Sequence, residues 1–388
     1  MRISEPSVSY EDGLVVCRFN VETSTGSQVL WYSVQECFGE FISTSCDAAL
    51  VALLIPAMEA GEDIYIDGNI SARSFYNLSG PCQKLIECII PSTRQVGVFP
   101  AAIQEEAVHE SGVATGFSAG IDSYCLLADN YYSNNVVDGF KITHLLFNNV
   151  GSHGRGSDGE ALFRKRYERI VPTVEHLGLP LLLVNSNLDS FYGKNLGFQQ
   201  THTQRNASVA LLLQGGIGRY MYASAYSYSD VFVGPTYDMA YSDVVMLPLL
   251  STPSFDGLSV GSHYTRVEKT LRVAEVPESY KSLDVCVNSR NMSGYANCAT
   301  CWKCLRTLAT LEIAGCLERY SDSFDLKAYR RARMANYAVM LGSDDPLLRE
   351  VVEFAKERNY SIPIASRFAY HLRLYKLLAI LKRIFGMA

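Results

Sequence analysis

The chain has 388 residues, 48% of them apolar and 19% charged, which is enough material for two cores or for one large core with an appended domain. A formal net charge of −6 argues against broad nucleic-acid binding, which rests on phosphate neutralisation by Lys and Arg. Met1 to Asp12 has acidic residues and no apolar leader core, and the longest apolar run, Ala48 to Met58, is too short to cross a bilayer; the expectation is a cytoplasmic protein without a transmembrane segment.

In chain order, short β-like runs come first, Gly13 to Val21 and Gln28 to Val34, followed by a helix-like segment from Ala48 to Met58 and a strand-like Val96 to Phe99. This reads as an α+β domain over residues 1–107, with the boundary placed in the polar stretch Gln104 to Gly112. From Val113 the pattern becomes βαβ. Strand-length runs at Val113–Phe117, Thr143–Phe147, Pro180–Val184, Arg219–Ser224 and Val231–Val233 alternate with helical candidates at Asp122–Asn130, Gly159–Leu177 and Ala207–Leu213. An α/β domain with a parallel sheet is expected over residues 108–320, and a helical extension over 321–388. The extension ends in an amphipathic helix, Tyr370 to Phe385, whose apolar stripe is more often domain core than a membrane-surface face.

Between the first strand of the βαβ region and its first helix lies Ser118, Ala119, Gly120, Ile121, Asp122, Ser123. A tight turn entering a helix points backbone N–H groups at one spot, joined by the positive helix end, and so binds anions. Ser118 and Ser123 add hydroxyls, Gly120 permits close approach, and Asp122 is placed to hold Mg²⁺ or to cap the helix. Ala119 costs nothing there if its φ is negative. The plain alternative is an ordinary strand-to-helix turn. The common Gly-rich nucleotide signatures are missing from the chain.

Cys298, Cys301 and Cys304 follow one another at two-residue gaps, and Cys286 lies upstream. Four thiolates converging from a tight knuckle and a distant segment suit a tetrahedral, structural Zn²⁺ with no open position for water. Lys303 and Arg306, interleaved with the cysteines, would offset the negative charge of the thiolates. The alternative is that three cysteines on successive helical turns are simply small core residues.

The loop resembles the Ser-Gly-Gly-x-Asp-Ser signature of the PP-loop ATP-pyrophosphatases, with Ala119 as the departure. Together with the cysteine knuckle it resembles 7-cyano-7-deazaguanine synthase and its multidomain relatives over roughly residues 110 to 320. Arg205 and Asn206 match an Arg-Asn pair that opens a helix in that family. Val233, Gly234 and Asp238 match a strand-end glycine with a following acidic residue, and Arg266 and Glu268 match a Lys-x-Glu step in which Lys has become Arg. The resemblance implies an adenine nucleotide alpha hydrolase-like fold and a ligase that uses ATP, Mg²⁺ and Zn²⁺. A carboxylate would attack the ATP α-phosphate to give an acyl-adenylate and pyrophosphate, and an amine or ammonia would then displace AMP.

On that reading the catalytic candidates are Asp122, Arg205 and Arg266, preferred over Lys194 as cations for the leaving pyrophosphate. The ATP candidates are Phe117, Ser118, Ala119, Gly120, Ile121, Asp122, Ser123, Phe147, Asn148 and Gly234, and the zinc candidates are the four cysteines. Substrates and partners are a small-molecule or protein/peptide carboxylate or amine, with a homodimer as the compatible assembly. Two other readings stand beside this one. A sulfurtransferase acting on a nucleotide or tRNA would need Cys125 as a reactive thiolate, although its position favours core packing. A non-catalytic ATP-binding scaffold would make Ala119 a mark of degeneration. His144, His153, His202 and His263 lack metal-ligand spacing and read as surface or core polar residues, with His153 and His202, which flank glycine-rich or polar loops after strands, the ones placed to face a substrate. The Arg164, Lys165, Arg166, Arg169 run reads as a solvated helix face.

Overall fold

The computed structural model describes residues 1–105, 108–287 and 294–372. Two compact units divide the chain: Met1–Phe117 with Asn134–Ser262, and Ser118–Ser133 with His263–Ala388.

In the first unit the strands are β1 (Arg2–Ile3), β2 (Ser7–Glu11), β3 (Leu14–Thr23), β4 (Gly26–Gln35), β5 (Ile64–Ser71), β6 (Val98–Gln104), β7 (Gly112–Gly116), β8 (His144–Asn149), β9 (Leu181–Ser186), β10 (Ile217–Ala223) and β11 (Asp256–Val260). They form one mostly parallel sheet in the order β11-β10-β7-β8-β9-β4-β3-β1-β5-β6, with β2 paired to β3. The boundary expected near residue 107 falls outside the described residues, and strands from both sides of it share the sheet through the antiparallel pair β4 and β9.

Burial follows the pairing. In β3, Val15, Cys17, Phe19 and Val21 are buried with a period of two. In parallel β8, Leu145, Leu146 and Phe147 are buried consecutively, as expected when helices cover both faces. The helix Asp47–Ala60 is buried from Asp47 through Met58 and packs against the helix Phe198–Leu212, which explains its lack of a polar face. Within the parallel set, β7 is the strand at which the order reverses, with β8 on one side and β10 on the other. In open α/β sheets such a switch point opens a crevice at the carboxyl ends of the strands.

One expected strand needs correction. Val231–Val233 forms no strand; Phe232 and Val233 are exposed in a loop. The fifth parallel strand is β11, which pairs with β10 along its whole length.

The second unit is helical in its described residues: Ile121–Leu127, Arg266–Val273, Ser279–Ser282, Trp302–Ile313, Leu326–Leu341, Pro346–Glu357 and Ile364–His371. Val267, Ala309, Ile313, Tyr337, Met340, Val351 and Phe354 contribute to one core cluster. Local chemistry sets the helix starts. Thr265 and Glu268 form a reciprocal capping box, and Asp345 caps the helix that Pro346 opens. From residue 373 the expected terminal amphipathic helix lies outside the described residues. No helix among the described residues is long and apolar enough to cross a membrane.

Candidate functional site

Four residues separate the end of β7 at Gly116 from the helix that begins at Ile121. The negative φ under which alanine would cost nothing is not what Ala119 adopts. Ala119 has φ 57°, in the left-handed region, whereas Gly120 is extended at φ −84° and ψ 175°. The conformation that favours glycine therefore sits on the alanine, at a cost of about 1–2 kcal/mol. Two features hold it: Ala119 is fully buried, and its carbonyl accepts a hydrogen bond from the Asp284 amide at 2.8 Å. Gly120 O accepts from the Ser123 hydroxyl and the Tyr124 amide, each at 3.1 Å, so the Ser123 proton is used inside the turn. Ser118 is exposed, Ile121 is buried, and Asp122 is partly exposed in the first helical turn.

Asp122 is the anionic centre of a basic cluster. Its Oδ1 accepts from Arg266 Nη1 at 2.8 Å and lies 3.5 Å from Lys269 Nζ. Arg266 and Lys269 are three positions apart and so share a face of the helix Arg266–Val273, where Lys269 is almost fully buried. Lys303 and Arg306 repeat this spacing on Trp302–Ile313 and feel the field of Arg266. Burial, and then repulsion from Arg266, lowers Lys303 and brings Arg306 down to about 10. Lys269 is likewise lowered by burial, which Asp122 opposes. Arg266 and Lys269 pair directly with Asp122, while Lys303 and Arg306 feel both Asp122 and Arg266, so the cluster is a cationic patch able to attract an anion. Lys269 is absent from the candidates that the sequence offers, and Lys303 and Arg306, expected to offset the thiolates, also feel Asp122 and Arg266; the sequence signal is the i, i+3 basic pair on each helix. Glu268, matched to a family motif, serves here as half of the capping box.

Cys286, Cys298, Cys301 and Cys304 present sulfurs that all lie within 4.8 Å of one another, and none is in a disulfide. A tetrahedral Zn²⁺ with Zn–S bonds of about 2.3 Å needs sulfurs about 3.8 Å apart. The Cys298–Cys304 distance is 3.9 Å, and Cys301 N donates to Cys298 Sγ at 3.2 Å, turning a backbone amide toward sulfur. Ala299, between the first two knuckle cysteines, takes φ 57° to make that turn. The donor set fits zinc, and four sulfurs close the coordination shell.

Cys125 lies on the buried side of its helix, where desolvation pushes its thiol up to about 12 and disfavours a reactive thiolate.

In the first unit the remaining candidates take structural positions. Arg205 and Asn206 stand in the middle of Phe198–Leu212 and do not open it. Arg205 is fully buried. It pairs with Asp189, donates to Thr201 Oγ1 and Val150 O, and lies over the Tyr192 ring at 3.6 Å. Asp189 also binds Arg155, so Arg205 belongs to an internal ion-pair network. Phe117 is buried and its amide donates to Leu146 O. Phe147 stacks on Phe163 at 5.2 Å beside His153, whose burial lowers it to about 4. Asn148 Nδ2 donates to Asn206 Oδ1. Gly234 is in a loop, packed against the Phe232 ring, and not at a strand end. Lys194 is an exposed loop residue.

A polar cluster surrounds His202, one of the two histidines that the sequence places toward a substrate. Its Nδ1 lies 2.7 Å from Tyr222 Oη and its Nε2 3.3 Å from Asp238, which also accepts from Tyr226. Nearby, Asp243 is fully buried and accepts from Thr203 Oγ1, and desolvation raises its carboxyl to about 6. These partners come from a helix, a strand end and a loop, so no regular sequence spacing marks them.

Compared with models of protein families, with curated proteins and with solved structures, the chain matches none.

Proposed function

We propose that this chain is an ATP-dependent adenylating ligase of the PP-loop type, joining a carboxylate to an amine or ammonia with release of AMP and pyrophosphate. The observation that carries the reading is Asp122, in the first helical turn after the Ser118–Gly120 loop, held by Arg266 and Lys269, with Lys303 and Arg306 in electrostatic reach. Attack of a carboxylate oxygen on the α-phosphate breaks the α–β anhydride and leaves charge on the departing pyrophosphate. Catalysis requires that this charge be met by fixed donors. The loop amides and the four cations are such donors, pre-arranged on short helices. The amine nitrogen then attacks the acyl carbon, loses a proton, and expels AMP.

Asp122 is the carboxylate that would hold Mg²⁺, which when bound neutralises phosphate charge. The four cysteines would hold a structural Zn²⁺. The thiolating alternative needs a reactive cysteine, and the buried, high-pKa Cys125 supports the ligase over it.

The test is product analysis. Full-length protein, with ATP, magnesium, a pool of small carboxylic acids and hydroxylamine as the amine, is expected to form AMP and pyrophosphate in equal amounts and a hydroxamate, and Asp122→Ala to form none. ADP as the product, no turnover with any acid, or undiminished turnover by Asp122→Ala would overturn the proposal.

A further inference from the structure

The helix Trp302–Ile313 carries two chemistries in its first turn. Cys301 is its N-cap and Cys304 its third residue, so two of the four clustered sulfurs fix where this turn begins and how it is rotated. Lys303 lies between those sulfurs in the first turn, and Arg306 follows Cys304 at the start of the next. Arg306 is only 6% exposed, yet its Nε and Nη1 have no hydrogen-bond partner among the described residues. Trp302 offers its ring at 5.2 Å, which contacts the cation without satisfying its N–H groups.

The acidic groups facing Arg306 are already engaged. Asp122 accepts from Arg266, Glu350 accepts from the Arg266 and Val267 amides, and Asp345 caps its own helix through the Leu347 amide. A buried guanidinium with two bare nitrogens is costly unless something completes it. An anion with several oxygens would satisfy those nitrogens and also the like-charge gathering of Arg266, Lys269 and Lys303.

We propose that Arg306 and Lys303 form, with Arg266 and Lys269, a polyphosphate-binding site whose geometry is set by the metal knuckle at the start of the helix that carries Lys303 and Arg306. Arg306 lies within the electrostatic reach of Arg266, Asp345, Asp122 and Glu350. The ligand is either free pyrophosphate or the phosphate tail of a nucleotide, and its assignment as a leaving group rests on the proposed ligase activity.

The experiment is calorimetric titration of zinc-loaded, full-length protein with sodium pyrophosphate, ATP, and sodium sulfate at matched ionic strength. Pyrophosphate is expected to bind and sulfate not; ATP binding tighter than pyrophosphate identifies the nucleotide as the source. Arg306→Gln, with zinc content and circular dichroism unchanged, should weaken pyrophosphate by about tenfold or more, the loss expected for one charge-assisted contact. If that variant does not fold, Lys303→Gln, at a half-exposed position, is expected to show the same loss. Removing the metal with a chelator, with helicity retained by circular dichroism, should also weaken pyrophosphate. No pyrophosphate binding, equal binding of sulfate, or wild-type affinity in the folded glutamine variants would overturn the site. Undiminished affinity in metal-free protein would overturn the link to the knuckle. Pyrophosphate binding that depends on Arg306, in a protein that forms no AMP, would leave this site standing and defeat the ligase reading alone.

Discussion

Arg266 Nη1 donates to Asp122 Oδ1 across 2.8 Å, joining residues 144 positions apart, and Lys269 approaches the same oxygen. Asp122 is thus a counter-charge within the cationic cluster, beside Glu350 and Asp345. Asp122→Ala should destabilise the protein by about 2 kcal/mol, below the usual 3–5 for a fully buried pair because the carboxylate is partly exposed. Added pyrophosphate should recover more stability in the variant than in the parent chain. Urea unfolding with and without pyrophosphate reads both effects, and an equal shift in the two proteins would count against the cluster as an anion site.

Ala119 gives a second expectation. Glycine there would relieve the left-handed conformation but lose a buried methyl group, two terms of about 1 kcal/mol and opposite sign. Ala119→Gly should therefore change stability by no more than about 1 kcal/mol and retain ATP turnover. Ala119→Val places a β-branched side chain at positive φ in a filled space and should cost more than about 2 kcal/mol. Thermal melts of the two variants decide this, and a strongly destabilised glycine variant would mean that the methyl group, not the turn, governs the site.

How far the sequence disclosed all this can be judged residue by residue. The knuckle was legible because its spacing is itself the geometry, and four of the parallel strands were legible because consecutive apolar residues mark strands covered on both faces. β11 was not, since Asp256–Val260 alternates too briefly to stand out, while Val231–Val233 looked like a strand and is exposed loop. Arg205 looked like a free cation because nothing in the chain advertises that Asp189, sixteen positions earlier, lies beside it. The swap of backbone conformation between Ala119 and Gly120 is a property of the turn's hydrogen bonds, which composition does not encode.

The buried setting of Arg205 makes it a stability residue. Arg205→Met should cost about 3 kcal/mol by breaking its pair with Asp189, which keeps Arg155 as a second partner. ATP affinity of the folded variant should be unchanged. A loss of affinity in a variant with parental unfolding behaviour would return Arg205 to the catalytic set.

Asp243 supplies a pH test. Burial raises its carboxyl from 3.8 to about 6 in the folded chain, against the favourable influence of His202 and Thr203, so the folded state holds the proton more tightly than the unfolded state. The stabilising contribution is full below about pH 4 and is lost as pH rises through 6. Asp243→Asn, neutral at every pH, should then be more stable than the parent above pH 6, by up to about 3 kcal/mol, with the gain vanishing near pH 4. Unfolding midpoints from pH 4 to 8 check the sign, and a gain that grew toward acid would contradict it.

The central claim is that the turn from Ser118 to Ser123 cradles the phosphates of ATP. A crystal structure with magnesium and α,β-methylene-ATP tests it most directly. The account predicts phosphate oxygens within hydrogen-bond reach of the amides of Gly120 to Ser123, with Arg266 and Lys269 turned toward the same group. An ordered triphosphate elsewhere, with those amides bonded only to protein or water, would contradict it.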